Sequence, residues 1–122
     1  MKNKILKIAI APRDEIIQYT RDIVAGRRRK SPGDPDIWFS SVESFAKILS
    51  EKNRALLALI AKKHPTSIDV LAAASGRAKS NLSRTLRTME RYGLVRLEKG
   101  QGRKLRPVVT FGRVELRLKV AA

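Results

Sequence analysis

Hydrophobic positions recur along this chain at two different periods. Near the amino terminus, Leu6, Ile8 and Ile10 alternate with Lys7 and Ala9, which predicts a half-buried strand over 4–11. Pro12 ends that strand and suits the first turn of a helix. Over 13–25 the period lengthens. Ile16, Ile17, Ile23 and Val24, with Thr20 between them, predict the apolar face of an amphipathic helix. Asp14 and Glu15 fall in its first turn, where the helix dipole favours negative charge, and Gly26 is its stop. A basic run at 27–30 leads into Ser31-Pro32-Gly33-Asp34-Pro35, a connector by its prolines and glycine. The run reads either as a phosphate grip or as a solvated loop. Ile37-Trp38-Phe39 predicts a short strand, with Trp38 assigned to core or dimer-interface packing ahead of stacking on a base.

Helical periodicity then dominates. Ser41 is a suitable N-cap for a helix over 42–49 that buries Phe45, Ile48 and Leu49. Ser50 caps the next helix, 51–64, which Leu56, Leu57, Leu59, Ile60 and Ala61 make apolar over a wide arc. Lys62, Lys63 and His64 lie at its end, complementing the dipole, and Pro65 stops it. Thr66 or Ser67 caps a short helix over 67–74 with Ile68, Leu71 and Ala72 inward. A sharp reversal at Ser75-Gly76 precedes a longer helix, 78–91, stopped by Tyr92-Gly93. Two strand-like runs follow, 94–98 and 103–109, joined by Lys99-Gly100-Gln101-Gly102. The last segment, 114–120, alternates strictly: Val114, Leu116, Leu118 and Val120 on one face, Glu115, Arg117 and Lys119 on the other.

Helix, tight turn, helix, hairpin is the order of a winged helix-turn-helix. The predicted fold is therefore α+β, mainly α: a winged helix-turn-helix with additional amino- and carboxy-terminal strands. Three segments are expected: a strand–helix extension and linker over 1–35, the winged unit over 36–112, and a closing strand over 113–122. The closing strand is expected to pair with the amino-terminal strand or with 37–39. An exposed apolar edge is a known association site, so these strands are also candidates for a homodimer interface.

Charge sharpens the picture. The 122 residues hold 27 Lys and Arg against 11 Asp and Glu, a formal net charge of +16. That surplus selects polyanionic partners. Residues 77–106 hold ten basic residues against two acidic ones, so half the surplus lies on the predicted motif. The chain has no cysteine, and its one histidine, His64, has no company at ligand spacing, so neither a metal nor a cofactor is expected. No apolar run is long enough to span a bilayer and no signal peptide is evident, which predicts a cytoplasmic protein, nucleoid-associated when DNA-bound, with no membrane partner. No Gly-rich phosphate loop, nucleophile–histidine pair or carboxylate cluster appears, so no enzyme activity is expected.

At 100° per residue, the helix over 78–91 places Leu82, Leu86 and Met89 on one side, and Ser80, Arg84, Arg87 and Arg91 opposite. Ordinary solvated helices mix charge signs to gain i, i+4 pairs, whereas this face carries almost no acid. In a major groove, the first half of such a helix lies nearest the bases. Ser80, Asn81 and Arg84 are the base-contact candidates: Arg matches guanine and Asn matches adenine. Ser83 and Arg87 suit base or backbone, and Arg91 suits phosphate. Arg77 and Lys79 flank the turn. In the hairpin, Arg103, Lys104 and Arg106 are candidates for the backbone or a narrow minor groove, joined by Arg96 and Lys99.

Residues 75–95, SGRAKSNLSRTLRTMERYGLV, resemble the recognition helix and following strand of MarR/ArsR-type winged-helix regulators, with Met89-Glu90 and Gly93-Leu94-Val95 matching. Residues 38–60, WFSSVESFAKILSEKNRALLALI, and the closing strand resemble small predicted bacterial and archaeal regulators with an extra amino-terminal strand and helix. The resemblance implies a sequence-specific transcriptional regulator, acting on double-stranded DNA as a homodimer. It also implies an alternative, an antitoxin that neutralises a partner toxin. The charge alone leaves a third reading, a non-specific chromatin or architectural protein. The lack of cysteine departs from the metal-sensing members of that group.

Overall fold

Strand β1 (Ile5–Ile10) is the middle of a three-stranded sheet, and its two faces position the rest of the chain. The computed structural model describes residues 4–120. In it β1 lies between β2 (Ile37–Phe39) and β5 (Arg113–Leu118), parallel to both. The register sets Ile8 beside Ile37 and Leu116, and Ile10 beside Phe39 and Leu118. Alternate residues share a face, so these six point the same way. That face meets the helices: Leu6, Ile8, Ile37 and Phe39 join one apolar cluster with Leu49, Leu56, Ile60, Leu71, Leu82, Leu86 and Met89.

The opposite face carries Lys7, Ala9 and Trp38. Helix α1 (Arg13–Val24), which links β1 to β2, lies against it, with the Tyr19 ring 5.0 Å from Trp38. Ala9 is consequently buried along with Leu6 and Ile8. The strand is covered on both sides, as parallel sheets are. The expected apolar face of α1 needs correcting. Ile16, Tyr19 and Ile23, spaced at i, i+3 and i+7, are half-buried along with Asp22, while Ile17 is exposed and Val24 is 82% exposed. A three-stranded sheet is too narrow to cover the wider arc.

Helices α2 (Val42–Ile48), α3 (Glu51–Lys63), α4 (Ile68–Ser75) and α5 (Lys79–Tyr92) follow, then an antiparallel hairpin of β3 (Arg96–Lys99) and β4 (Leu105–Val108). Among the described residues, five helices and five strands thus make a mixed α and β fold, compatible with α+β. Serines begin three helices: the Oγ atoms of Ser41, Ser50 and Ser67 accept from the N–H groups of Ser44, Asn53 and Val70 at 3.0, 3.2 and 3.1 Å. Each satisfies a donor that a helix start leaves without an intrahelical acceptor. The hairpin strands are shorter than 94–98 and 103–109, because Leu94 and Val95 are spent on the core before pairing begins. The closing strand stops at Leu118, short of Val120, because its ladder partner β1 ends at Ile10.

Ser67 is 3% exposed and starts the helix that leads into the turn. Ser67→Ala removes the acceptor and leaves the Val70 N–H without its partner. A loss of about 1 kcal/mol is expected. A thermal melt should fall by about 3–6 °C for a chain of this size.

Candidate nucleic-acid interface

The turn between α4 and α5 is made by Gly76. Its φ of +74° caps α4 in the left-handed region, and its N–H reaches the Ala72 carbonyl at 3.0 Å. Glycine takes this conformation without the steric cost a side chain would bring. The chain then runs extended through Ala78 into α5, whose far end Gly93 caps in the same way.

Helix α5 divides as its periodicity requires. Leu82, Leu86 and Met89 are essentially inaccessible, whereas Ser80, Asn81, Arg84, Arg87 and Arg91 are exposed and Ser83 is half-buried. Its one acid is Glu90. The Phe39 ring stacks on Tyr92 at 4.6 Å and meets Phe45 edge-on at 5.7 Å, which fixes the end of α5 against the sheet and α2.

The other sequence-selected residues fall into three groups. Arg77 is half-buried. Its guanidinium donates to Asn53 Oδ1 at 3.3 Å and Thr85 Oγ1 at 3.4 Å, tying the turn to α3 and α5. It positions the helix more than it offers charge to a ligand. Lys79 and Arg106 are exposed but ion-paired, Lys79 with Asp69 at 2.8 Å and Arg106 with Glu98 at 2.8 Å. Arg96 joins Glu98 from the other side at 3.2 Å. The bond from Arg106, with help from Arg96, holds the Glu98 carboxyl below the usual carboxylate range. Exposed pairs of this kind are weak and readily exchanged for another anion. Arg84, Arg87, Arg103 and Lys104 form the third group, exposed and in no salt bridge among the described residues. Arg91 donates through Nη2 to Thr88 Oγ1 at 3.4 Å.

Asp69 joins the two halves of this surface. Lys79 bonds it from the start of α5, Lys104 lies close enough in the hairpin to add to the effect, and both hold its carboxyl below its usual value. The hairpin lies beside the start of α4, where Thr66, Ser67 and Val70 line one depression with Lys99, Gly100 and Lys104. Two lysines that sequence reasoning missed also border α5. Lys52 of α3 lines a shallow depression with Asn81 and Arg84, and Lys47 of α2 lines another with Arg84 and Thr88. Nothing in their local sequence marks them, since α2 and α3 reach α5 only through packing.

Three of the four residues in the basic run at 27–30 are ion-paired, while Arg29 is exposed and in no salt bridge among the described residues. Arg27 pairs with Asp22 at 3.1 Å, Arg28 with Asp34 at 3.1 Å while lying over the Tyr19 ring, and Lys30 with Asp36 at 2.9 Å. Asp34 also accepts from the Ser31 N–H, which chiefly lowers its pKa. Burial works to raise the pKa of Asp36, but the Lys7 N–H and Lys30 outweigh it and leave it lowered. These ion pairs tie the run to α1 and to the loop into β2. Among the described residues, no cluster of three or more potential metal ligands forms, and no helix is long and apolar enough to cross a membrane.

Comparison with known proteins matches residues 48–116 to the model of one family, HVO_A0114. No curated protein and no solved structure matches.

Proposed function

The chain belongs to the HVO_A0114 family, and from that premise we propose that it is a winged helix-turn-helix protein that binds double-stranded DNA and regulates transcription. The matched region runs from the end of α2 into β5, and so contains the helix pair, the turn and the hairpin. In this reading α4 and α5 are the helix-turn-helix and β3–β4 is the wing. The resemblance of residues 75–95 to MarR/ArsR-type regulators supports the same assignment. The observation that carries the reading is the exposed face of α5. Arg84 and Arg87 stand outside every salt bridge among the described residues, beside Ser80 and Asn81, on a helix whose reverse side is wholly buried. Net charge of +16 supplies the attraction.

Within that reading, the α5 side chains read bases and the hairpin cations hold the backbone. Binding of duplexes should fall steeply with salt, by several decades between low and moderate ionic strength for about six to ten phosphate contacts. Arg84→Ala should cost roughly 1–3 kcal/mol on the preferred site and relax the choice at one base pair, whereas Lys104→Ala should weaken all sequences alike. A competition assay over a panel of duplexes checks both. Two variants that behave identically across the panel would remove the division of labour. A preference under about tenfold for any duplex over random DNA would replace a regulator with an architectural protein.

A further inference from the structure

We propose that the free edge of β5 docks a second copy of this chain, the two β5 strands joining antiparallel about a two-fold axis through Leu116. This inference stands apart from the DNA reading and is tested without DNA.

In the strand order β2-β1-β5, β5 has a hydrogen-bonded neighbour on one side only among the described residues. An open edge offers a row of unpaired N–H and C=O groups, and isolated edges are usually blunted by a proline, a bulge or an inward charge. The apolar face of β5 has none of these. Leu116 and Leu118 lie in register with Ile8 and Ile10, on the face that packs against the helices. Ile8 is fully buried, yet Leu116 is 42% and Leu118 51% exposed. The helical layer covers β1 and reaches β5 at Val114, stopping short of Leu116 and Leu118. Between α3 and β5 it leaves a groove of about 1060 Å³ lined by Leu49, Ala58, Ala61, Phe111, Val114 and Leu116.

Charge decides what covers this face and in which register. Two-fold antiparallel pairing that keeps apolar residues on one side can be centred on Glu115, Leu116 or Arg117. A centre at Glu115 opposes glutamate to glutamate, and a centre at Arg117 opposes arginine to arginine. Centring on Leu116 sets it against itself, Val114 against Leu118 and Glu115 against Arg117 twice; Arg113 then meets Lys119, which lies past the strand end and is paired with Glu15. Cross-strand pairs of opposite charge stabilise and like pairs destabilise. Glu115 is the one acid in β5 and forms no salt bridge among the described residues. Arg117 donates through Nη1 to the Gly33 carbonyl, which leaves its other nitrogens for a carboxylate. The strand is thus complementary to itself, in a chain whose net charge of +16 otherwise drives copies apart.

The absence of cysteine makes the register directly testable in the full chain. Opposed residues in antiparallel strands lie about 4.5–5.5 Å apart at Cα, within the reach of a disulfide. Leu116→Cys should cross-link under mild oxidation. Val114→Cys should not, because two copies of residue 114 would be separated by four residue steps, about 13 Å. The unmodified chain should sediment at twice 13.7 kDa. Glu115→Arg or Arg117→Glu should each weaken the dimer at least about tenfold, and the two together should recover part of the loss. These positions are exposed, so circular dichroism should be unchanged, and melting should fall only with the loss of dimer and, for Arg117→Glu, of the bond to Gly33. A monomer at the highest soluble concentration overturns the inference and leaves the groove to a foreign helix or a small apolar ligand. Equal cross-linking of both cysteine variants, or a dimer indifferent to Leu116→Lys and Glu115→Arg, overturns it as well.

Discussion

Replacing both Arg84 and Arg87 with glutamate is expected to lower affinity for every duplex by at least about a hundredfold, with no change in melting temperature. Each arginine stands on the exposed side of α5, outside any salt bridge among the described residues, so the fold loses no ion pair when they go. Each contact made to DNA is worth roughly 1–3 kcal/mol, and reversing the charge adds repulsion from phosphates to the loss of attraction. The slope of log affinity against log salt should also shrink, by about one for each of the two arginines that meets a phosphate. Affinity measured at several salt concentrations, alongside a thermal melt, separates the effects. A double variant that binds as well as the parent would move the DNA site off α5 and remove the central support for the proposed function. A variant that melts early would instead give these arginines a structural role.

Leu86→Ala has the opposite profile. Leu86 is fully buried midway along α5, within the cluster that also holds Leu82, Met89, Leu71 and Ile8. Truncation removes buried apolar atoms and leaves a cavity that close-packed surroundings fill only partly. The expected cost is about 2–5 kcal/mol, read from the denaturant midpoint at unchanged slope. That is a large share of the roughly 5–15 kcal/mol that holds a domain folded. Leu86→Met keeps the volume and should cost under about 1.5 kcal/mol. Any loss of DNA binding in Leu86→Ala should track the unfolded fraction and recover on cooling or at low denaturant. A Leu86→Ala chain as stable as the parent would mean that α5 is not seated on the core as described.

The two predictions separate the sides of one helix, and that separation was legible in the residues. Leu82, Leu86 and Met89 repeat every three to four positions, so any helix built from them has one apolar side and leaves Arg84 and Arg87 opposite. The caps were legible for a similar reason. Ser41, Ser50 and Ser67 act on backbone three residues away, and Gly76 and Gly93 act on their own φ, so neighbouring sequence contains all that is needed. Strand character at both ends of the chain followed from period two.

Partnership across the chain was decided only by tertiary structure. Arg77 looks like a free cation beside a turn until Asn53, 24 residues away, takes one side of its guanidinium. Arg27, Arg28 and Lys30 look like free cations until Asp22, Asp34 and Asp36 converge on them. Lys47 and Lys52 join the surface beside α5 only because α2 and α3 fold against it. The closing strand alternates as though half-buried, yet the helical layer stops short of Leu116 and Leu118, which remain outside. Periodicity is a property of neighbours along a backbone and specifies which side of an element is apolar. What covers that side, and which charge meets which, depends on contacts closed over long loops, and no local pattern contains them.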